Sequence, residues 1–87
     1  METKPFYVTA VRPTALEKFD HGFTPPTPEE VREVKQMSGK TGKQIAEMLG
    51  VDGRTVRKWI GGEREMPYAA WRLFVFSVGL ISFNDIV

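Results

Sequence analysis

There is no cysteine in this chain of 87 residues, and its single histidine is His21. The first absence excludes a disulfide framework and thiolate metal sites, and it makes a reducing compartment the natural expectation. A lone histidine leaves no basis for a metal site or a His-based triad. Long apolar runs are missing too. The most apolar stretch, Trp71 to Phe83, is broken by Arg72, Ser77 and Gly79 and falls short of the ~20 residues a bilayer needs, so no membrane span is expected. The opening METKPFYVTAVRP lacks the basic region and long apolar core of a signal peptide, which points to the cytoplasm. Gly39, Gly42, Gly50, Gly53, Gly61 and Gly62 each have a turn or cap explanation and form no phosphate-cradling loop after a strand, so no nucleotide site and no cofactor is expected. Nucleophile, base and orienting group cannot be named together, which makes an enzyme the least expected class.

What is present is a soluble composition, 41% hydrophobic and 26% charged, in a chain long enough for one small domain and too short for two. The net charge is only +1, but it is unevenly spread. Residues 1 to 31 hold three basic and five acidic side chains, residues 32 to 64 hold eight basic and four acidic, and the rest hold one basic and two acidic. A basic middle is compatible with a polyanionic partner, because a local face and not the total meets phosphate.

Along the chain, PFYVTAV (Pro5 to Val11) favours an extended strand that stops before Pro13. Thr14 and Glu17 have the spacing of a capping box, predicting a short helix to about Phe19 that Asp20-His21-Gly22 ends. FTPPTP is a proline-restricted connector. Thr27, with Pro28 in the first turn and Glu29 and Glu30 at the positive helix end, starts a helix whose apolar spacing is Val31, Val34 and Met37 before Ser38-Gly39. Those acids, with Glu33, are expected from the helix dipole alone and carry no catalytic assignment. Thr41-x-x-Gln44 opens a second helix that stops at Gly50, and Asp52 caps a third from Gly53 to about Ile60. Pro67 resets the chain for a final helix, Tyr68 to Val78, apolar nearly all round. The tail LISFNDIV is expected to be extended.

The stretch TGKQIAEMLGVDGRTVRKWIGGER, residues 41 to 64, interrupts its apolar stripe with a Gly-Val-Asp-Gly break, which one amphipathic helix would not do. Two helices crossing through a sharp turn would. Such a helix-turn-helix needs a small residue at the crossing, a permissive residue in the turn and apolar anchors at fixed offsets. Ala46 and Gly50 fill the first two roles; Ile45, Leu49, Val51, Val56 and Trp59 are the anchors. Residues 41 to 67, including Trp59-x-x-Gly62-x-Arg64-x-x-Pro67, resemble the helix-turn-helix of the Xre type, to which phage repressors and Cro proteins belong. The resemblance spans half to two-thirds of the chain. It departs at Gly42, where the family often has Gln, and at Ile60, where it often has an acid.

The expected fold is therefore mainly α: a small four- to five-helix repressor-like helix-turn-helix domain, with a candidate terminal β-strand. Residues 1–26 form an N-terminal extension, 27–80 the helix-turn-helix domain and 81–87 an apolar C-terminal tail. With Val56 and Trp59 facing the core, Arg54, Thr55, Arg57 and Lys58, beside Gly53, are free to read bases, arginine by its paired hydrogen bonds to guanine. Lys40, Thr41, Lys43, Gln44 and Arg64 lie at helix ends and loops that suit phosphate contact. The bland alternative is a small helical core whose cations merely face water. The surplus of apolar residues after Pro67 calls for cover, either from PFYVTAV or from another subunit. A homodimer through Trp71, Phe74, Val75, Val78, Ile81 and Phe83 is expected, bound to a palindromic double-stranded operator, with no small-molecule effector evident. The resemblance implies a transcriptional repressor, an autoregulator of a phage or plasmid type. RTVRKWIGG also resembles the reading helix of excisionase-like and MerR-like proteins, so an accessory factor for recombination or excision, or a DNA-binding antitoxin with a toxin partner, is the alternative. A protein-protein adaptor is the third reading.

Overall fold

The computed structural model describes residues 10 to 86, which form five helices and one 3₁₀ turn. The turn is Pro13–Leu16; the helices are α1 (Pro28–Ser38), α2 (Gly42–Leu49), α3 (Gly53–Gly61), α4 (Tyr68–Ser77) and α5 (Phe83–Ile86). No strand occurs among the described residues. The strand expected over Pro5 to Val11 lies outside them except for Ala10 and Val11, neither of which is in a strand.

The first three helices start where side chains can satisfy the orphan amides of a first turn. Thr27 and Glu30 close a full capping box on α1, with the Thr27 N–H donating to Glu30 Oε1 at 2.8 Å and the Glu30 N–H donating to Thr27 Oγ1 at 3.2 Å. Thr41 and Gln44 do the same for α2. Asp52 caps α3, its Oδ1 accepting from the Thr55 N–H at 2.8 Å. Each such cap is worth about 0.5–2 kcal/mol.

Two local expectations fail. Thr14 and Glu17 form no capping box: Thr14 Oγ1 is instead 2.9 Å from Thr24 Oγ1, and Pro13 begins a 3₁₀ turn that ends at Glu17. The tail is not extended at its end, because Asp85 accepts hydrogen bonds from the Ser82 N–H and hydroxyl and stabilises the start of α5.

One core joins α1 to α4. Val31 and Val34 of α1, Ile45 and Ala46 of α2, Val56 and Trp59 of α3 and Trp71, Phe74 and Val75 of α4 are buried together. Met37, the third residue of the apolar spacing in α1, is exposed. Val11 and Ala15 join the same core from the N-terminal side, and Ile81 from the C-terminal side. Polar ties fasten the segment before α1, among them the Phe19 N–H donating to the Tyr68 hydroxyl at 3.0 Å. The Arg12 side chain bonds both carboxylate oxygens of Glu30, at 2.7 and 2.9 Å, and the Pro25 carbonyl. Trp71 Nε1 donates to the Ala15 carbonyl at 2.6 Å, and the buried Arg72 donates to the carbonyls of Leu16 and Glu17 and to that of Asp85. Burial pushes the Glu30 carboxyl up, but the hydrogen bonds from Arg12 and Thr27 outweigh it and hold the group below its ordinary value.

Candidate nucleic-acid interface

The α2–turn–α3 unit rests on a carbonyl and a missing side chain. Ala46 O accepts from both the Gly50 N–H (2.9 Å) and the Val51 N–H (3.0 Å), which winds the chain off α2 through Gly50 at φ 75°. That backbone region costs an L-residue about 1–2 kcal/mol and glycine nothing. Ala46 itself is buried, as its place at the crossing requires. At the start of α2, a Cβ on Gly42 would stand 3.9 Å from Val56 Cγ1, an ordinary contact, so a larger residue is not excluded there by its first carbon.

α3 is anchored by one face and open on the other. Val56 and Trp59 are buried, while Leu49 and Val51 pack half-buried against the same cluster. Arg54 and Arg57 are exposed, and Gly53, Thr55 and Lys58 are half-buried. Arg57 runs back toward the helix start: a Cβ on Gly53 would lie 3.5 Å from Arg57 Nη1, so the bare glycine leaves space beside that guanidinium. The Asp52 carboxyl is held below its usual value by its hydrogen bonds with Thr55, so it stays ionised beside Arg54.

Four of the five residues expected to meet phosphate are fully on the outside. Thr41, Lys43, Gln44 and Arg64 are exposed and Lys40 is half-buried. The capping box occupies one oxygen each of Thr41 and Gln44 as acceptors, which leaves the hydroxyl proton and the amide N–H groups as donors. The Glu63 and Arg64 N–H groups both bond the Lys58 carbonyl, folding the loop back against the end of α3.

The residues expected at a dimer contact are divided. Trp71, Phe74, Val75 and Ile81 are buried within the chain, Val78 is half-buried and Phe83 is 64% exposed. The four buried residues already have cover, from Val11, Ala15 and the neighbouring helices. Leu73 and Phe76 are exposed on α4 instead.

Some positioning groups are invisible to local pattern reading. Arg32 of α1 donates to the Ile60 carbonyl near the end of α3 while lying 3.5 Å from Glu29, and Met66 is buried between α3 and α4. Trp59 is buried with no hydrogen-bond partner on Nε1, an arrangement that costs about 1–3 kcal/mol. No helix among the described residues is long and apolar enough to cross a membrane.

No protein-family model matches the chain, and no solved structure is significantly similar to it. Two curated proteins of Escherichia coli, each named transcriptional repressor protein KorC, are 45% and 43% identical to it over 58 residues. Both matches cover 63% of this chain and 68% of the relative. At that identity and coverage the chain belongs to the family of the KorC transcriptional repressor proteins.

Proposed function

We propose that the chain represses transcription by binding a specific double-stranded operator, with α3 of an Xre-type helix-turn-helix in the major groove. The observation that carries this reading is the division of α3: Val56 and Trp59 are buried while Arg54 and Arg57 are exposed. The repressor relatives support it. Arg54 and Arg57 read guanine edges, Thr55 and Lys58 flank them, and Gly53 admits the helix end to the groove. Lys40, Thr41, Lys43, Gln44 and Arg64 grip phosphates and set the register. Residues 27–80 carry the DNA-binding unit, in a cytoplasmic, non-enzymatic autoregulator of the kind found on phages and plasmids.

The operator is palindromic and the protein is a homodimer, which pairs two reading helices across half-sites about 34 Å apart. The contact runs through the outer face of α4, where Leu73 and Phe76 are exposed, extended by Phe83. The one charge of α4, Arg72, is turned inward, so this face opposes no charge to a second copy.

Fluorescence anisotropy with duplexes of varied sequence tests the assignment. Arg57→Ala should reduce discrimination among duplexes by about 1–3 kcal/mol. Lys43→Ala should weaken all duplexes alike and flatten the salt slope by about 1. Unchanged affinity and preference in Arg57→Ala would refute the register given to α3.

A further inference from the structure

Gly53 opens α3 without a backbone reason to be glycine. Its φ is not positive, whereas Gly50 before it and Gly62 after it stand at φ 75° and 84°. Glycine is also a poorer helix former than alanine or leucine. The core does not demand it either. Apart from its chain neighbours and the backbone of α3 itself, a Cβ there would meet a single atom within 4 Å, Arg57 Nη1 at 3.5 Å. We propose that Gly53 is a specificity-determining residue: its missing side chain is the slot in which Arg57 lies, and the slot fixes which base pair Arg57 reads.

Helix geometry puts the slot under that arginine. Residues four apart share a face and side chains lean toward the helix start, so the path of Arg57 runs over position 53. Four residues of helix rise ~6 Å, so an arginine folded back this far carries its guanidinium that distance toward the start of α3. Stacked bases are ~3.4 Å apart along a strand. With α3 lying along the groove, the difference between a folded-back and an outstretched Arg57 therefore exceeds one base pair. Nothing else makes the choice, because Arg57 is exposed and has no hydrogen bond or ion pair with a described residue. Its five N–H groups stay free for guanine O6 and N7. A branched side chain at position 53 would take the slot and turn the guanidinium out of it. Arg54 stands ~100° further round the helix, outside the slot's control.

The inference rests on the reading of DNA by α3 proposed above and refines it. The test compares the full chain with Arg57→Ala, Gly53→Leu and the double variant. Duplexes selected by the parent are altered one base pair at a time, and affinities are read by fluorescence anisotropy. Arg57→Ala identifies the pair that Arg57 reads. Gly53→Leu should cut the guanine preference at that pair at least ~5-fold, or move it to a neighbouring pair, while the preference assigned to Arg54 holds. On the Arg57→Ala background the same substitution should alter base preference by no more than ~2-fold, the signature of a residue that acts through Arg57. Thermal unfolding controls for the fold: Gly53→Leu should melt no lower than the parent, since it replaces a poor helix former. A guanine preference that Gly53→Leu leaves intact, or loses equally on both backgrounds, would overturn the slot. So would a uniform weakening of all duplexes without a change of preference, which marks obstruction of the helix end instead. In each of these cases the reading by α3 stands; a parent chain that selects no sequence contradicts that reading, and the slot falls with it.

Discussion

Alanine at Gly62 probes how the end of α3 is locked to the start of α1. Gly62 caps α3 at φ 84°, and a Cβ there would stand 3.0 Å from Pro28 Cγ and 3.7 Å from Pro28 Cβ. Gly50 caps α2 at φ 75° with nothing within 4 Å of its would-be Cβ. The two substitutions thus share a backbone penalty and differ in one contact. The shared penalty is about 1–2 kcal/mol, reduced by about 0.4–1 kcal/mol through the stiffer unfolded chain, so Gly50→Ala should cost about 1 kcal/mol. Carbon atoms pack best at about 3.5–4.0 Å, and relief of a tight contact against a rigid ring costs about 1–2 kcal/mol more. Pro28 cannot yield cheaply, because it sits inside the Thr27–Glu30 capping box. Gly62→Ala should therefore cost about 2–3 kcal/mol, a fall in melting temperature roughly twice or more the 4–8 °C expected for Gly50→Ala. Gly61→Ala serves as a control: the residue is helical with open space at its Cβ position, and alanine there should be neutral or stabilising by about 0.5 kcal/mol. Thermal unfolding followed by circular dichroism measures all three. If Gly62→Ala melts no lower than Gly50→Ala, the close approach of α3's cap to Pro28 is not part of the folded state.

Glu30 should carry a pH signature. Its folded-state pKa lies below the unfolded value of about 4.3, so its stabilisation is complete above that pH and is lost as pH falls through the lower folded value. Urea unfolding should find Glu30→Gln less stable than the parent at pH 7, with the gap closing below about pH 4; a gap independent of pH would refute the charged pairing with Arg12. Trp71→Phe, which loses the bond to the Ala15 carbonyl and part of a buried ring, should cost about 2–4 kcal/mol in the same assay. Leu73→Lys, on the outer face of α4, should convert a dimer to a monomer in sedimentation with little loss of helix, whereas an unchanged sedimentation coefficient would exclude that face as the contact.

The helix ends were legible because their causes are local. Thr27, Thr41 and Asp52 each reach an amide three residues away, and the turn at Gly50 needs only that residue's own freedom. The same local logic misled at Thr14, where a partner ten residues on takes the hydroxyl and Pro13 tightens the turn. Long-range ties leave no such trace. Arg12 meets Glu30 across 18 positions, and Trp71 meets Ala15 across 56. Apolarity all round the last helix signalled that it needed cover, but a sequence pattern cannot tell internal cover from a partner. Val11 and Ala15 share the core with α4, and the Ala15 carbonyl meets Trp71 directly. For the interface, the buried anchors Ile45, Ala46, Val56 and Trp59 followed from periodicity, as did the exposure of Arg54 and Arg57. The ties that aim the helix, such as Arg32 to the Ile60 carbonyl, arise only when α1 is packed beside it.

If α3 reads a particular operator, selection of bound duplexes from a random pool will recover it. The purified full chain should be used at about 150 mM salt, where weak nonspecific contacts are largely screened. The expected result is a two-fold symmetric consensus with half-sites one helical turn apart, rich in guanine where Arg54 and Arg57 reach. Absence of any enriched sequence, with binding confined to the weak and strongly salt-dependent regime, would contradict it.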